Sequence, residues 1–533
     1  MTLNRWLTHL NRVKNPLFNG MIIIPTILTV TLALEVAAQE DFSPIAPTTY
    51  AESEPASEDE DLDLYLTYLQ SLQSPFIGLE LNTPQNPYSN LNSSLKAGNE
   101  GGVSDDSNIN TNVYYGADIF GGGNCDASGP NCHQHRNTGV GYQIFYENGV
   151  GDFNVAMGYQ AMYSNTEGLH NIGIGYQGLY SNTTGSENTG VGYGVLYNTT
   201  TGDNNIAMGY RAMNSNTTGS GSVGIGYEAL YSATTEGSLT AIGYQAAKAN
   251  TSGTGTVAVG YQALTASTTG DYNTAVGDQA LTANTTGNSN VAVGYEALYT
   301  STTASFNTAM GYRSLYSNTT GSQNNAIGYQ ALYTNTTASY NTAIGHQALF
   351  SNTTGGHNQA IGYQALYSNT TGERNVAIGS NAMKDNTTGL YNTAMGFYAL
   401  WQNTTGNKNT ALGYNNLNAN TTGSENTALG YNNMMYNTTG ASNTAIGYQS
   451  LYENITGDNN TAMGKYALMD NTTGDGSVAI GISALQEATT EGSLTAIGFE
   501  AAKANTTGTG TVAVGYQALT ANTTGDYNSA LGT

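Results

Sequence analysis

The chain has 533 residues, of which only 9% are charged, with 67 glycines, 39 tyrosines and a net charge of −24. An acidic balance of this kind repels nucleic acid and anionic membrane surfaces and argues against both as partners. The charge is uneven: residues 39–110 hold thirteen Asp/Glu against the single Lys96, a net −12 and half the total.

Arg5, Arg12 and Lys14 precede an apolar run from Met21 to Leu34, and Val36-Ala37-Ala38 fits a small-residue cleavage site. Residues 1–38 therefore read as a cleaved signal peptide, because the apolar core, broken by Pro25, is shorter than the ~20 residues of a spanning helix. The mature chain is expected to begin near Gln39 and to be exported to the cell surface or beyond, with no membrane insertion of the repeat region. Residues 39–110 read as a disordered acidic linker, since Ser43-Pro44, Pro47, Pro55 and the run Glu58-Asp59-Glu60-Asp61 show no apolar period. A short helix from Asp61 to Leu72 is the one element expected within it. Residues 111–136 hold Cys125 and Cys132 and read as an N-terminal cap on the repeat region. In an exported chain this C-x6-C pair is most simply a disulfide closing a small loop. A zinc site shared with His133 and His135 fits poorly, because zinc pairs are usually spaced C-x2–4-C.

From Asn137 to Thr533 the sequence repeats every 17 residues without a slip. Gly141 to Gly532 span 391 residues, or 23 × 17, so there are 24 glycine positions. A fixed short period implies one coil per repeat, stacked along an axis as an all-β parallel β-solenoid. At ~4.8 Å per coil the 23 steps make a rod on the order of 110 Å long. The consensus Asn-Thr-Ala-Ile-Gly-Tyr-Gln-Ala-Leu-Tyr-Ser-Asn-Thr-Thr-Gly-x-x is nearly whole at Asn341–Gly355. Two strands are expected per coil, about Thr-Ala-Ile-Gly-Tyr and Gln-Ala-Leu-Tyr, with Asn-Thr-Thr-Gly as the reversal and its glycine at positive φ. The apolar column before the key glycine (Val140, Met157, Ile174, Ile225, Ile327) is expected to point inward, facing Leu230, Leu298 and Leu366. The column before that holds only Ala or Gly; it too reads as core, and it is small enough to let three rolls approach about a common axis.

Two columns suggest surface chemistry. Tyr142, Tyr159, Tyr176, Tyr210, Tyr227, Tyr295, Tyr329 and Tyr363 follow the key glycine and form a candidate aromatic ladder for glycans or other surfaces; core or inter-chain packing of amphipathic rings is the simpler explanation of the column. Asn182, Asn216, Asn335 and Asn454 open acceptor patterns for N-glycosylation, although Asn and Thr also serve as turn residues.

Segments such as Ser477-Val478-Ala479-Ile480-Gly481, Asn375-Val376-Ala377-Ile378-Gly379 and Thr511-Val512-Ala513-Val514-Gly515 resemble the head repeats of YadA-like trimeric autotransporter adhesins; similar repeats occur in phage tail fibres. The resemblance implies a left-handed β-roll, a homo-trimer, and binding to host matrix or other surfaces. The Gly-Tyr-Gln-Ala-Leu-Tyr portion departs from that pattern, the family repeat is typically shorter, and no coiled-coil stalk or membrane anchor is visible in the sequence.

An array that keeps making the same residues lacks the unique groups of a catalytic site. No Asp/Glu column, nucleophile, cofactor or phosphate-loop motif is present, so an enzyme is not expected. Adjacent threonines (Thr183-Thr184, Thr353-Thr354) point to opposite faces of a strand and fit an ice-binding surface poorly. The expected function is an exported fibrous surface protein, an adhesive head and spacer; a viral or phage tail fibre is the alternative. The segment Ala233–Gly243 recurs 255 residues later at Ala488–Gly498, and the second copy stops at Thr533, so an open end or truncation is expected there.

Overall fold

A computed structural model describes residues 96–97, 113–117 and 136–532, apart from 148 and 150. The signal peptide, the Asp61–Leu72 helix and Cys125, Cys132, His133 and His135 lie outside the described residues. Those described form one 26-stranded sheet wound as a parallel β-solenoid with a 17-residue repeat, and contain no helix. Strand β1 (Lys96–Ala97) pairs antiparallel with β2 (Val113–Ala117), which pairs parallel with β3 (Thr138–Tyr142). The sheet thus reaches back through the cap region into a segment expected to be disordered. From β3 to β26 (Ser529–Leu531) every pairing is parallel and in register, each residue lying on its equivalent 17 positions on, as in Ala343 on Ala360 and Ile344 on Ile361.

Each coil has one short strand, usually three residues, and not two. The second expected strand fails because of what it must bury. A strand would send Ala348 and Leu349 to opposite faces, yet both are wholly buried. Positive φ at Gln347 (54°) and Leu349 (51°) turns the two side chains to the same side. Such φ values cost a non-glycine residue roughly 1–2 kcal/mol, which full burial of a leucine (~1.5–3 kcal/mol) offsets. The ladder continues through this turn, with Leu349 N–H donating to Ala365 O at 3.0 Å and Gln347 N–H to Tyr329 O at 2.9 Å.

The two glycines of the repeat act for different reasons. Gly345 has φ +135°, and a Cβ there would lie 2.4 Å from Gly362 O. Gly355, in the reversal, is not at positive φ; a Cβ would meet Gly372 O at 2.2 Å and Asn352 Oδ1 at 2.8 Å, so close stacking excludes it. The positive φ expected there falls two residues later, at His357 (60°).

The parity of the strand is the reverse of the sequence expectation. Ala326, Ala343 and Ala360 point inward and are fully buried, whereas Val140, Met157 and Ile327 are 39–40% exposed and Ile174 and Ile225 are half-buried. The coil interior is narrow: the alanine wall faces a second wall of Leu230, Leu298 and Leu366, also fully buried, and leaves no room for a second large column. At Gly173 a Cβ would lie 2.8 Å from Met162 Cγ and at Gly224 2.7 Å from Met213 Cγ, although Ala394 and Ala445 hold the equivalent places after Met383 and Met434. The Ala/Gly column is therefore sealed inside each roll and cannot be where rolls meet.

In the isolated chain, Ile327→Asp should change stability by no more than ~0.5 kcal/mol, as for an exposed site. Leu332→Ala should cost ~2–5 kcal/mol by leaving a cavity. Hydrogen exchange over residues 320–340 compares the two, and strong deprotection by Ile327→Asp alone would contradict this parity.

Candidate functional site: an outward apolar face

Three columns share the outer side of the strand wall: the residue three before the key glycine (mostly Thr or Val), the Ile/Val/Met/Leu column one before it, and the Tyr column one after it. Their only charged members are Asp278 and Lys465. At ~4.8 Å per coil and ~3.3 Å per residue, the strip covers on the order of 1,000 Å². Threonine fills half of the first column, so the apolar part of this envelope is smaller and stands beside the roughly 300–600 Å² of the largest patch on a typical monomer.

The eight ladder tyrosines all lie on this strip, exposed or half-exposed. Stacking governs what they present. Ring centroids from Tyr142 to Tyr261 are 4.8–5.5 Å apart, with interplanar angles of 4–16°. Each ring covers its neighbour's face, so the ladder shows hydroxyls and ring edges to solvent. A sugar stacking on an aromatic needs an open face, and within the ladder there is none. A second stack, starting at Tyr146, Tyr163, Tyr180 and Tyr197, follows the same rule at 4.8–4.9 Å.

The four candidate glycosylation asparagines point inward. Asn182, Asn216, Asn335 and Asn454 are wholly buried. Asn335 Nδ2 donates to Asn318 Oδ1 at 2.8 Å and to Ala338 O at 3.0 Å, and Asn454 Nδ2 to Asn437 Oδ1 at 2.7 Å. A glycan on Nδ2 has no exit from this fold, so these residues are ladder members and the glycosylation reading is corrected. A second buried ladder runs beside the strand: Asn358 N–H donates to Asn341 Oδ1 at 2.9 Å, and its Nδ2 to Gly372 O at 2.8 Å. The sequence pattern suggested turn residues on a rim, whereas these side chains are buried ladder members. A signal for burial was present in the substitutes, since the column beside the strand takes Leu239 and Leu494 in place of Asn and neither column admits Asp.

The paired threonines divide their roles. Thr353 Oγ1 donates to Thr370 O at 3.0 Å, whereas Thr354 is exposed. One hydroxyl per pair is thus committed to the ladder, leaving a single outward file where an ice-matching surface needs two.

No group of three or more His, Cys, Asp or Glu that could hold a metal occurs among the described residues. The described residues also contain no helix long and apolar enough to cross a membrane. No family model matches this chain, and neither a curated protein nor a solved structure does.

Stacking also affects the phenols. Desolvation raises the pKa of Tyr163, Tyr176 and Tyr180, and the neighbouring tyrosines add to the rise. Burial, with a hydrogen bond to Tyr436, pushes Tyr452 up to about 12. A phenol whose folded pKa exceeds its unfolded value of ~10 keeps its proton longer in the folded state, so stability falls as pH rises past about 10. Tyrosinate absorbance should therefore lag free tyrosine, and melting should occur at a lower temperature at pH ~11 than at pH ~8. A titration centred on free tyrosine with unchanged melting would contradict this. In the Asn ladder, Asn335→Ala should cost ~1–3 kcal/mol by orphaning Asn318 Oδ1 and Ala338 O, read as local exchange over coils 318–352.

Proposed function

We propose that this chain is an exported fibrous surface protein whose solenoid is a spacer and adhesive head, assembled through its outward apolar strip against further copies of itself. The observation that carries this reading is the strip, a charge-depleted band of aliphatic and tyrosine side chains running through the coils. A standard protein interface takes ~800 Å² from each partner, and the strip offers about that much. The stacked rings, showing edges rather than faces, suit packing against another stack better than capture of single sugars.

The resemblance of the Ala-Ile-Gly segments to adhesin heads supports a homo-trimer and an adhesive role. The regularity of the outward columns supports a surface that binds by repetition. Contacts recurring every ~5 Å make adhesion multivalent, so weak contacts multiply through effective concentration.

Sedimentation of the 137–533 array should give an oligomer, and Ile327→Lys with Ile344→Lys and Ile361→Lys should leave a folded monomer, since three charges then face the interface without partners. A wild-type array that remains monomeric at high concentration would overturn the assembly. Adhesion to matrix-coated surfaces should rise steeply with coil number and fall in the monomeric variant. Equal adhesion by short and long arrays would remove the multivalent reading.

A further inference from the structure

We propose that Tyr261, Asp278 and Tyr295 form a binding site for one organic cation, an ammonium or guanidinium group. The tyrosine stack runs unbroken to Tyr261, which lies 5.2 Å from Tyr244, and resumes at Tyr295, which lies 5.4 Å from Tyr312. Between them the column holds Asp278. Two coils at ~4.8 Å separate the bounding ring faces by about 10 Å. A group seated midway lies ~5 Å from each, within the ~6 Å at which a cation is attracted to a ring centroid.

The floor of this gap is anionic and uncommitted. Asp278 is exposed, and its carboxylate has no ion pair or hydrogen bond among the described residues. The adjoining Glu296 is already engaged, with Arg313 Nε on its Oε2 at 2.5 Å. Tyr261 is 48% exposed, against 41% for Tyr244 inside the stack, whereas Tyr295, at 39%, is no more exposed than the stacked rings and has the Arg313 guanidinium 5.8 Å from its centroid, so Tyr261 supplies the open face. The chain itself shows a cation in this column: Lys465 Nζ lies 5.7 Å from the Tyr448 ring centroid and 4.7 Å from that of Tyr466. The gap at Ser380, between Tyr363 and Phe397, offers no carboxylate and serves as the neutral counterpart.

The cation has two possible sources, a free amine or guanidine and Lys465 of a second copy. Lys465 is 187 residues, or eleven coils, from Asp278, so an in-register copy cannot deliver it and only a staggered or antiparallel one can. The site lies on the strip that the proposed assembly uses, so the second-copy source rests on that assembly, whereas the free-ligand source requires the notch to stay uncovered in it.

Isothermal titration of the full chain with L-argininamide tests the site. The expected result is saturable, salt-sensitive binding of one molecule per chain, about tenfold weaker or more in Asp278→Asn, a tenfold loss being a single lost contact. Asp278→Tyr closes the stack without altering the coil and should abolish binding while leaving melting unchanged or raised. Sedimentation of Lys465→Gln separates the sources: reduced self-association, matched by Asp278→Asn and by added argininamide, assigns the cation to a second copy, and unchanged self-association with intact binding assigns it to a free ligand. No binding by the wild type together with no effect of Lys465→Gln overturns the proposal, as does equal binding by Asp278→Tyr.

Discussion

Every feature of this molecule depends on one constraint, the stacking of each residue on its own equivalent at the spacing of parallel strands. Backbone hydrogen bonds link coil to coil through strand and turn alike, so a residue's nearest neighbours are the residues 17 before and 17 after it. A side chain is tolerated only if it packs well against copies of itself. Asparagine does, because an amide both donates and accepts; a buried carboxylate would face its own charge, and the inward columns contain none among the described residues. The limit of this logic is visible where a ladder breaks. Asn182, Asn284 and Asn471 each carry a buried Oδ1 without a partner, and each is followed one coil later by Thr199, Ser301 or Ala488, none of which has an amide to donate.

The same constraint shapes the outer surface. Tyrosines stacked in register hide their faces and expose their edges, which turns a row of sugar-binding side chains into a smooth amphipathic wall. Charges are scarce on that wall because a repeated like charge would meet itself every ~5 Å. The two exceptions are single residues, and a single interruption costs little: Lys465 turns to neighbouring rings, and Asp278 leaves a notch. Elsewhere some charges are compensated and others are not: Glu453, Asp470 and Glu487 follow one another coil by coil, and burial together with the two neighbouring carboxylates raises the Asp470 pKa. Glu296 lies against Arg313 one coil on. Glu228 lies against Lys248, and although burial alone would raise its carboxyl, the hydrogen bonds from Lys248 and Gln245 outweigh this and hold it below its ordinary range.

Under the proposed assembly, how far the strip recruits copies of the chain depends on burial that the single roll cannot supply. Half-exposed Ile, Val and Met gain about 25 cal/mol for each further Å² of apolar surface covered, and the gain repeats in every coil. A strip of this length therefore favours association cooperatively, and its strength scales with the number of coils engaged.

The 17-residue period by itself determined the architecture: parallel in-register stacking, the number of coils, a buried leucine wall and laddered asparagines all come from columns that never slip. Site chemistry was less legible. The tyrosine column could be read as outward, but its closed faces follow only from ring geometry. The asparagines matched a glycosylation pattern because the residues that make that pattern are the same ones that make a buried amide ladder. Which side of the strand faces inward was decided by tertiary structure alone. Alternation fixes that Ala and Ile lie on opposite faces but not which is core, and hydrophobicity points to the isoleucine. The width of the coil reverses that choice, because leucines turned inward by two positive-φ residues already fill the space, and only alanine or glycine fits against them.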